Sequence, residues 1–224
     1  MRKPSLSATA LAALLIPFAP ASADEEGPAP SGGLTVKITR TLESVEIMHA
    51  GEPVVVQRVQ DTKNTMNPSF TKTSRKCPPF CVQPMKLAAG VETIGEIQML
   101  DYLKRASDGD QGILVIDSRT TPWVERGTLP GTVSIPYKKL SLRNGDEDEI
   151  LTILEDQFGA LRNGEFWDFS NARTLVLFCN GMWCGQAPTN IKQLLRMGYP
   201  AHKLKWYRGG MQAWETLGLT TVKP

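Results

Sequence analysis

Histidine is scarce in this chain of 224 residues, since His49 and His202 are the only two and they lie far apart. A tetrahedral zinc site needs four ligands, and a site built from the four cysteines would consume the residue best placed to act as a nucleophile. The sequence therefore predicts no bound metal ion, and nothing in it requires another cofactor. No internal repeat is present.

The chain also lacks an excess of either charge. It has 25 basic and 23 acidic residues, and Arg2 and Lys3 lie in a segment that we expect to be removed, which leaves 23 of each sign. A chain without net charge does not attract polyanions. We therefore expect no nucleic-acid partner.

Long hydrophobic runs are absent except near the amino terminus. Arg2 and Lys3 precede an apolar segment, residues 6–19, and Ala21-Ser22-Ala23 has the form of a cleavage site. This pattern is typical of a secretory signal peptide over residues 1–23, and the apolar segment is short for a bilayer span of about 20 residues. We expect an exported, periplasmic protein with no membrane span after cleavage.

Residues 24–33 are polar and rich in proline and glycine, which predicts a disordered tether. The sequence pattern of residues 34–90 predicts a small β-rich appendage. Alternation of apolar and polar residues predicts strands at Leu34–Ile38 and around Val45, Gly51-Glu52-Pro53 predicts a turn, and Val54–Val56 predicts a third strand.

Strand and helix patterns alternate over residues 91–224. Thr93 and Glu96 have the spacing of a capping box at the start of a helix. Strands are predicted at 113–116, 133–135, 173–178 and 204–207, and helices at 97–106, 150–158, 187–197 and 210–217. This order predicts an α/β fold with a central, largely parallel sheet flanked by helices, in which ligands bind where strands end and helices begin.

Cys179 occupies such a position, between a buried strand and a helix. Backbone N–H groups and the helix dipole at this point favour an anion on sulfur and lower a thiol pKa. Cys179 is therefore the candidate nucleophile. The residues of the following loop whose N–H groups can hold an anionic sulfur are the candidate substrate-binding residues: Asn180, Gly181, Met182, Trp183 and Gly185.

Three roles are open for Cys184: a thiol that resolves an intermediate on Cys179, a partner in a static disulfide, or a packing residue. Trp183 either shields the sulfur from water, docks an acceptor protein, or folds back onto the domain. Cys77 and Cys81 frame Pro78-Pro79-Phe80, and in an exported protein a structural disulfide is the simplest reading. A second exchange-active pair is the alternative.

Four landmarks in order resemble a rhodanese domain over roughly residues 91–222. They are Asp117-Ser118-Arg119 after the first buried strand, the stretch from Gly127 to Pro136, Leu177-Phe178-Cys179, and Tyr207-Arg208-Gly209-Gly210 with Ala213-Trp214. The resemblance implies a rhodanese-like fold and a sulfurtransferase that carries sulfane sulfur as a persulfide on Cys179. Asp117 and Arg119 are then expected to support the site as an ion pair.

The loop departs from the pattern of active family members, which often read Cys-x-x-Gly-x-Arg-Ser. The glycine comes one place early at Gly181, Cys184 stands where a basic residue is common, and Gly185 replaces a helix-capping Ser or Thr. A charge-assisted hydrogen bond contributes about 1.5–3 kcal/mol, so thiosulfate is expected to be a poor donor by about one to two orders of magnitude.

The sequence thus favours an exported sulfurtransferase that uses Cys179, with Cys184 as the resolving thiol. Its expected partners are a small sulfur-donor anion or persulfide and a thiol acceptor, which a protein could supply. Two other functions stay open. One is a non-catalytic rhodanese-like binding module with static disulfides, and the other is a thiol–disulfide redox protein that uses the Cys179/Cys184 pair.

Overall fold

An antiparallel hairpin opens the structure, a computed structural model that describes residues 33–164 and 166–224. Strands β1 (Ser44–His49) and β2 (Glu52–Gln57) pair around a turn at Ala50 and Gly51, whose φ angles are both positive. The predicted signal peptide and the tether up to residue 32 lie outside the described residues.

Two details of the predicted appendage are wrong. Leu34–Ile38 forms no strand, because the Gln60 side chain accepts the backbone N–H groups of Thr35 and Val36 in place of a strand partner. The turn lies at Ala50–Gly51, and Pro53 belongs to β2. Proline is tolerated there because a two-stranded ribbon has only edge strands. The predicted strand Val54–Val56 is confirmed within β2.

The rest of the chain alternates strands and helices, as the sequence predicted. In chain order the elements are β3 (Glu92–Ile94), α1 (Glu96–Ser107), β4 (Ile113–Asp117), α2 (Thr121–Val124), β5 (Val133–Ser134), α3 (Glu147–Thr152), a π-helical segment (Ile153–Gln157), β6 (Leu161–Asn163), β7 (Phe166–Asp168), β8 (Thr174–Phe178), α4 (Gln186–Arg196), β9 (Leu204–Tyr207) and α5 (Gly210–Thr216). Five strands form one parallel sheet in the order β3-β9-β8-β4-β5.

Side chains of β8 alternate between two hydrophobic cores, as expected for a strand covered on both faces. Leu175 and Leu177 face α3, the π-helical segment and α4, whereas Val176 and Phe178 face α1 and α5. Ile47 of the hairpin is fully buried in the second core. The hairpin therefore covers the same face of the sheet as α1, and β8 lies at the centre of both cores.

Two helix starts differ from the prediction. Gly95, and not Thr93, precedes α1, because Thr93 pairs in β3 and the Gln98 side chain accepts the Gly95 N–H at 3.2 Å. Helix α3 begins at Glu147 because the Asp146 side chain accepts the N–H of Glu149 at 3.0 Å. The strands β3, β6 and β7 were not predicted, since each has three residues and shows no readable periodicity.

Candidate functional site

Cys179 directly follows β8 and begins the loop that leads to α4, at the carboxyl end of the parallel sheet. Its side chain is 2% exposed, and that of Cys184 in the same loop is 5% exposed. Neither is in a disulfide. The Cys179 Sγ donates to the carbonyl oxygen of Cys184 at 3.4 Å, and the Cys184 Sγ lies 3.8 Å from the Gln186 Oε1. The loop thus holds two neighbouring thiols in the reduced state.

The two thiols have opposite pKa shifts. Burial raises the pKa of Cys179 well above its ordinary value, and the neighbouring Cys184 raises it further, while backbone groups of Ala187 and Gly181 act in the lowering direction. A hydrogen bond between the Cys179 and Cys184 side chains lowers the pKa of Cys184, and backbone groups of Gln186 and Asn180 add to that effect. The prediction of a lowered pKa at Cys179 is therefore wrong, because desolvation outweighs the helix terminus. The acidic thiol of the pair is Cys184.

The start of α5 holds the cysteine loop in place. The N–H of Met211 donates to the Cys179 carbonyl at 3.0 Å, and the N–H of Gln212 donates to that of Asn180 at 3.0 Å. A Cβ atom at Gly210 would press against the Cys179 carbonyl oxygen and lie 2.8 Å from the Gly181 nitrogen. This contact explains why the closing Gly-Gly-x-x-Ala-Trp stretch needs glycine beside the nucleophile position.

The loop N–H groups are not all free to hold a sulfur anion. The N–H of Cys184 donates to the Gly181 carbonyl at 2.9 Å and so closes a turn within the loop. Gly185 is the N-cap of α4 and has no side chain to occupy the first N–H groups of the helix. Backbone groups at the start of α4, at Gln186 and Ala187, act on the two sulfurs in place of a side-chain cap.

Asp117 and Arg119 form a fully buried ion pair at the end of β4. The Arg119 Nε lies 2.9 Å from the Asp117 Oδ1, and its Nη2 donates to the Gly127 carbonyl at 2.6 Å. The Arg119 Nη1 reaches the Asn180 Oδ1 at 3.4 Å, and Thr128 donates to Asp117 at 2.8 Å. The pair links β4 to the cysteine loop, and its donors are directed at protein groups.

Trp183 packs against the segment that contains Cys77 and Cys81, which are joined by a disulfide. The Trp183 ring meets Phe80 edge-on at 5.7 Å, and the Arg75 guanidinium lies 4.2 Å from its centroid. Its Nε1 donates to the Gln212 Oε1 at 2.7 Å. Met182 is exposed, but its carbonyl accepts the N–H of Gln83 at 2.8 Å.

Two cavities flank the wall formed by Phe80 and Trp183. The larger, of about 650 Å³, has no cysteine in its lining. The smaller, of about 450 Å³, is bordered by Cys184 together with Phe80, Trp123, Tyr137 and Trp183. We call the smaller one the thiol cavity, and its chemistry makes it the better candidate for a substrate site.

Sequence reasoning missed the residues that the rest of the chain brings to this cavity. Phe80 was noted only as part of the Cys77–Cys81 loop, and Trp123 and Tyr137 lie in connections without a readable pattern. The one available signal was Tyr137, which directly follows the Gly127–Pro136 stretch and whose N–H donates to the Ser118 carbonyl at 3.0 Å.

Among the described residues, no helix is both long and apolar enough to cross a membrane. Within the same part of the chain, no group of three or more His, Cys, Asp and Glu side chains is arranged to hold a metal ion.

Comparisons with solved structures give distant matches. The BH2092 protein from Bacillus halodurans is 18% identical, with 59% of this chain and 77% of that chain covered and a TM-score of 0.40. A rhodanese-like domain from Anabaena is 15% identical, with 54% and 72% covered and a TM-score of 0.34. A Rhodopseudomonas palustris protein of unknown function, described as a possible tyrosine phosphatase, is 17% identical, with 57% and 82% covered and a TM-score of 0.35. No curated protein matches the chain.

The family assignment comes from a family model. The model of the rhodanese-like domain matches residues 99–217, which is just over half of the chain and includes both Asp117 and the whole loop from Cys179 to Gly185. The chain therefore belongs to the rhodanese-like family.

Proposed function

We propose that the protein is an exported sulfurtransferase that carries sulfane sulfur as a persulfide on Cys179 and uses Cys184 as the resolving thiol. One observation carries this proposal. Two free thiols share the loop at the carboxyl end of the sheet, and the sulfur of Cys179 is hydrogen-bonded to the carbonyl of Cys184.

The first step loads Cys179. When Cys184 is ionised, a state that its lowered pKa favours, it takes the proton of the Cys179 thiol as the donor approaches. The Cys179 sulfur then bonds to the sulfane sulfur of the donor, the bond between that sulfur and the rest of the donor breaks, and the remainder leaves with the electron pair. The product is a Cys179 persulfide anion beside a neutral Cys184 thiol.

The persulfide has two outlets. An external thiolate can take the outer sulfur, which leaves an acceptor persulfide and the Cys179 thiolate. Alternatively, the Cys184 sulfur bonds to the inner sulfur while the Cys184 proton passes to the outer sulfur. The bond between the two persulfide sulfurs breaks, a Cys179–Cys184 disulfide forms, and the outer sulfur leaves as hydrosulfide. The second outlet needs an external dithiol to reduce the disulfide before the next turnover.

Export to the periplasm belongs to the same proposal. It is supported by the signal-peptide pattern at residues 1–23 and by the Cys77–Cys81 disulfide, in which Cys77 is exposed to solvent. Such a bond persists in an oxidising compartment and is rare in the cytosol. The expected partners are a small sulfur donor and a thiol acceptor.

Intact-mass measurement of the purified protein, before and after incubation with a sulfane-sulfur donor, tests the proposal. Early in the incubation, before Cys184 releases the sulfur as hydrosulfide, we expect the mass of one added sulfur, located by non-reducing peptide mapping on the peptide that contains Cys179. Cys179→Ser should show no such addition. A protein that takes up no sulfur from any donor would instead favour a binding module. Rapid thiol–disulfide exchange without sulfur uptake would favour the redox alternative.

A further inference from the structure

We propose that the thiol cavity binds the organic part of the sulfur donor, and that this part is an aromatic or apolar group on a thiosulfonate or persulfide. This inference rests on the proposed function and names its substrate class. Inorganic thiosulfate, the small dianion, is then the wrong shape and charge for the site.

The position of the cavity is the first argument. Its wall includes Cys184, whose carbonyl oxygen accepts the hydrogen bond from the Cys179 sulfur. A molecule in the cavity therefore has Cys184 at its border and the buried Cys179 sulfur behind that residue. The larger cavity beyond Trp183 has no thiol in its wall. A volume of about 450 Å³ lies in the range of small organic ligand sites, about 300–1,000 Å³.

The lining of the cavity is the second argument. Four of the ten lining residues are aromatic, namely Phe80, Trp123, Tyr137 and Trp183, and none of the ten is charged. Aromatic walls favour flat apolar groups, and a dianion gains no charge-assisted contact from this lining.

Two arginines beside the cysteine loop have other partners, which is the third argument. Arg119 is fully buried, and its guanidinium donates to Asp117, to the Gly127 carbonyl and to Asn180. Arg75 lies over the Trp183 ring and lines the larger cavity, not the thiol cavity. Neither is placed as a basic residue in the cysteine loop would be.

Loading from an aryl thiosulfonate follows the same steps as in the proposed function. With an aryl thiosulfonate, the Cys179 proton moves to the Cys184 thiolate and the Cys179 sulfur bonds to the sulfane sulfur. The bond from that sulfur to the sulfonyl group breaks, and the aryl sulfinate leaves with the electron pair. The aryl group stays in the cavity during the step, so its binding stabilises the transition state relative to the free protein and donor and speeds loading at low donor concentration.

Three donors with the same type of reacting sulfur test the inference: thiosulfate, methanethiosulfonate and benzenethiosulfonate. For each donor, we divide the rate of sulfur addition to Cys179 by the rate at which the same donor reacts with a small free thiol. This ratio removes differences in the intrinsic reactivity of the donors. Burial of a phenyl group predicts that benzenethiosulfonate loads about tenfold faster than methanethiosulfonate and faster still than thiosulfate.

Two matched variants test whether the thiol cavity causes the preference for benzenethiosulfonate. Phe80→Ala removes one aromatic wall, and we expect it to lower the ratio of the benzenethiosulfonate rate to the methanethiosulfonate rate to about threefold or less. Phe166→Ala is the control, because Phe166 is 79% exposed and lines neither cavity. It should keep the selectivity of the unmodified protein.

Equal normalised rates for the three donors, or a Phe80→Ala variant with unchanged selectivity, would overturn this inference and leave the proposed function standing. Failure of every donor to load Cys179 would overturn the proposed function. Equilibrium binding of benzenethiosulfonate to the Cys179→Ser/Cys184→Ser variant then tests separately whether the cavity binds the aryl group. Binding weakened by Phe80→Ala supports an aromatic site, and no binding rejects it.

Discussion

The two cysteine pairs of this protein stand in opposite settings. Cys77 and Cys81 are joined by a disulfide in a segment without regular structure, and Cys77 is exposed. Cys179 and Cys184 are free and almost fully buried at the end of the central strand. Each pair is separated by only three or four residues, so short spacing alone does not decide the role of a pair.

The setting of each pair explains its state. In the part of the chain that the structure describes, no surrounding sheet holds Cys77 and Cys81 in place. Their disulfide closes the loop in which Phe80 contacts the Trp183 ring. The second pair is held by β8, by α5 and by the Asp117–Arg119 ion pair, so the fold determines its geometry without a covalent link. We therefore propose a structural role for the first pair and a chemical role for the second.

The largest expected effect separates the two pairs directly. Cys179→Ser should reduce sulfur loading from methanethiosulfonate by about 100-fold or more, because it removes the nucleophile. The Cys77→Ser/Cys81→Ser variant should retain loading within about tenfold. Mass-detected loading rates check both, and equal losses in the two variants would break the assignment of chemistry to the second pair.

Removal of the buried support should be the next largest effect. Asp117→Asn leaves the Arg119 charge without its partner in the interior, and breaking a buried pair costs about 3–5 kcal/mol. Urea unfolding measures the loss. Asp110→Asn is the control, because its ion pair with Arg105 is exposed and its loss should change stability little. Similar stability of the two variants would contradict a structural role for Asp117.

A smaller loss is expected at Gly210, which touches the backbone of the cysteine loop. Gly210→Ala forces a Cβ atom against the Cys179 carbonyl and the Gly181 nitrogen, and such overpacking costs about 1–3 kcal/mol. Loading should fall together with thermal stability. Gly109 also has a positive φ, but a Cβ atom added there would meet no neighbouring atom. Gly109→Ala therefore measures the cost of the backbone conformation without a steric clash. Unchanged loading in Gly210→Ala would show that the loop adapts.

The smallest expected effect is a shift in pH dependence. Because the hydrogen bond between the two cysteine side chains lowers the pKa of Cys184, alkylation of Cys184 by iodoacetamide should begin at a lower pH than for a free cysteine. Cys179→Ala removes that bond while burial remains, so the profile should move to higher pH. Rates followed by peptide mapping against pH measure the shift, and an unmoved profile would contradict coupling between the two thiols.

The sequence predicted the part of the site that depends on local order. The run Thr174–Phe178 is apolar throughout because both faces of β8 are covered, and this pattern places Cys179 at the end of a strand. The sequence also predicted a helix after the loop, and the structure has it at Gln186–Arg196. The fold class followed from the alternation of such segments.

The rest depends on tertiary packing that no local pattern encodes. The pKa of Cys179 is raised because separate elements bury it, although the helix start alone favours the opposite direction. Phe80 reaches the thiol cavity from about a hundred residues earlier in the chain, through a segment with no periodicity. The prediction of a strand at Leu34–Ile38 was wrong because the Gln60 side chain accepts backbone N–H groups that a neighbouring strand would otherwise bind.

The central claim is that Cys179 carries the sulfur and Cys184 resolves it. A single turnover with a sulfane-sulfur donor, without external reductant, followed by non-reducing peptide mapping and hydrosulfide measurement, tests this most directly. The account predicts a Cys179–Cys184 disulfide with one hydrosulfide released per protein, and a stable Cys179 persulfide without release in Cys184→Ser. Sulfur on Cys184 or at the Cys77–Cys81 pair, with Cys179 unmodified, would contradict it.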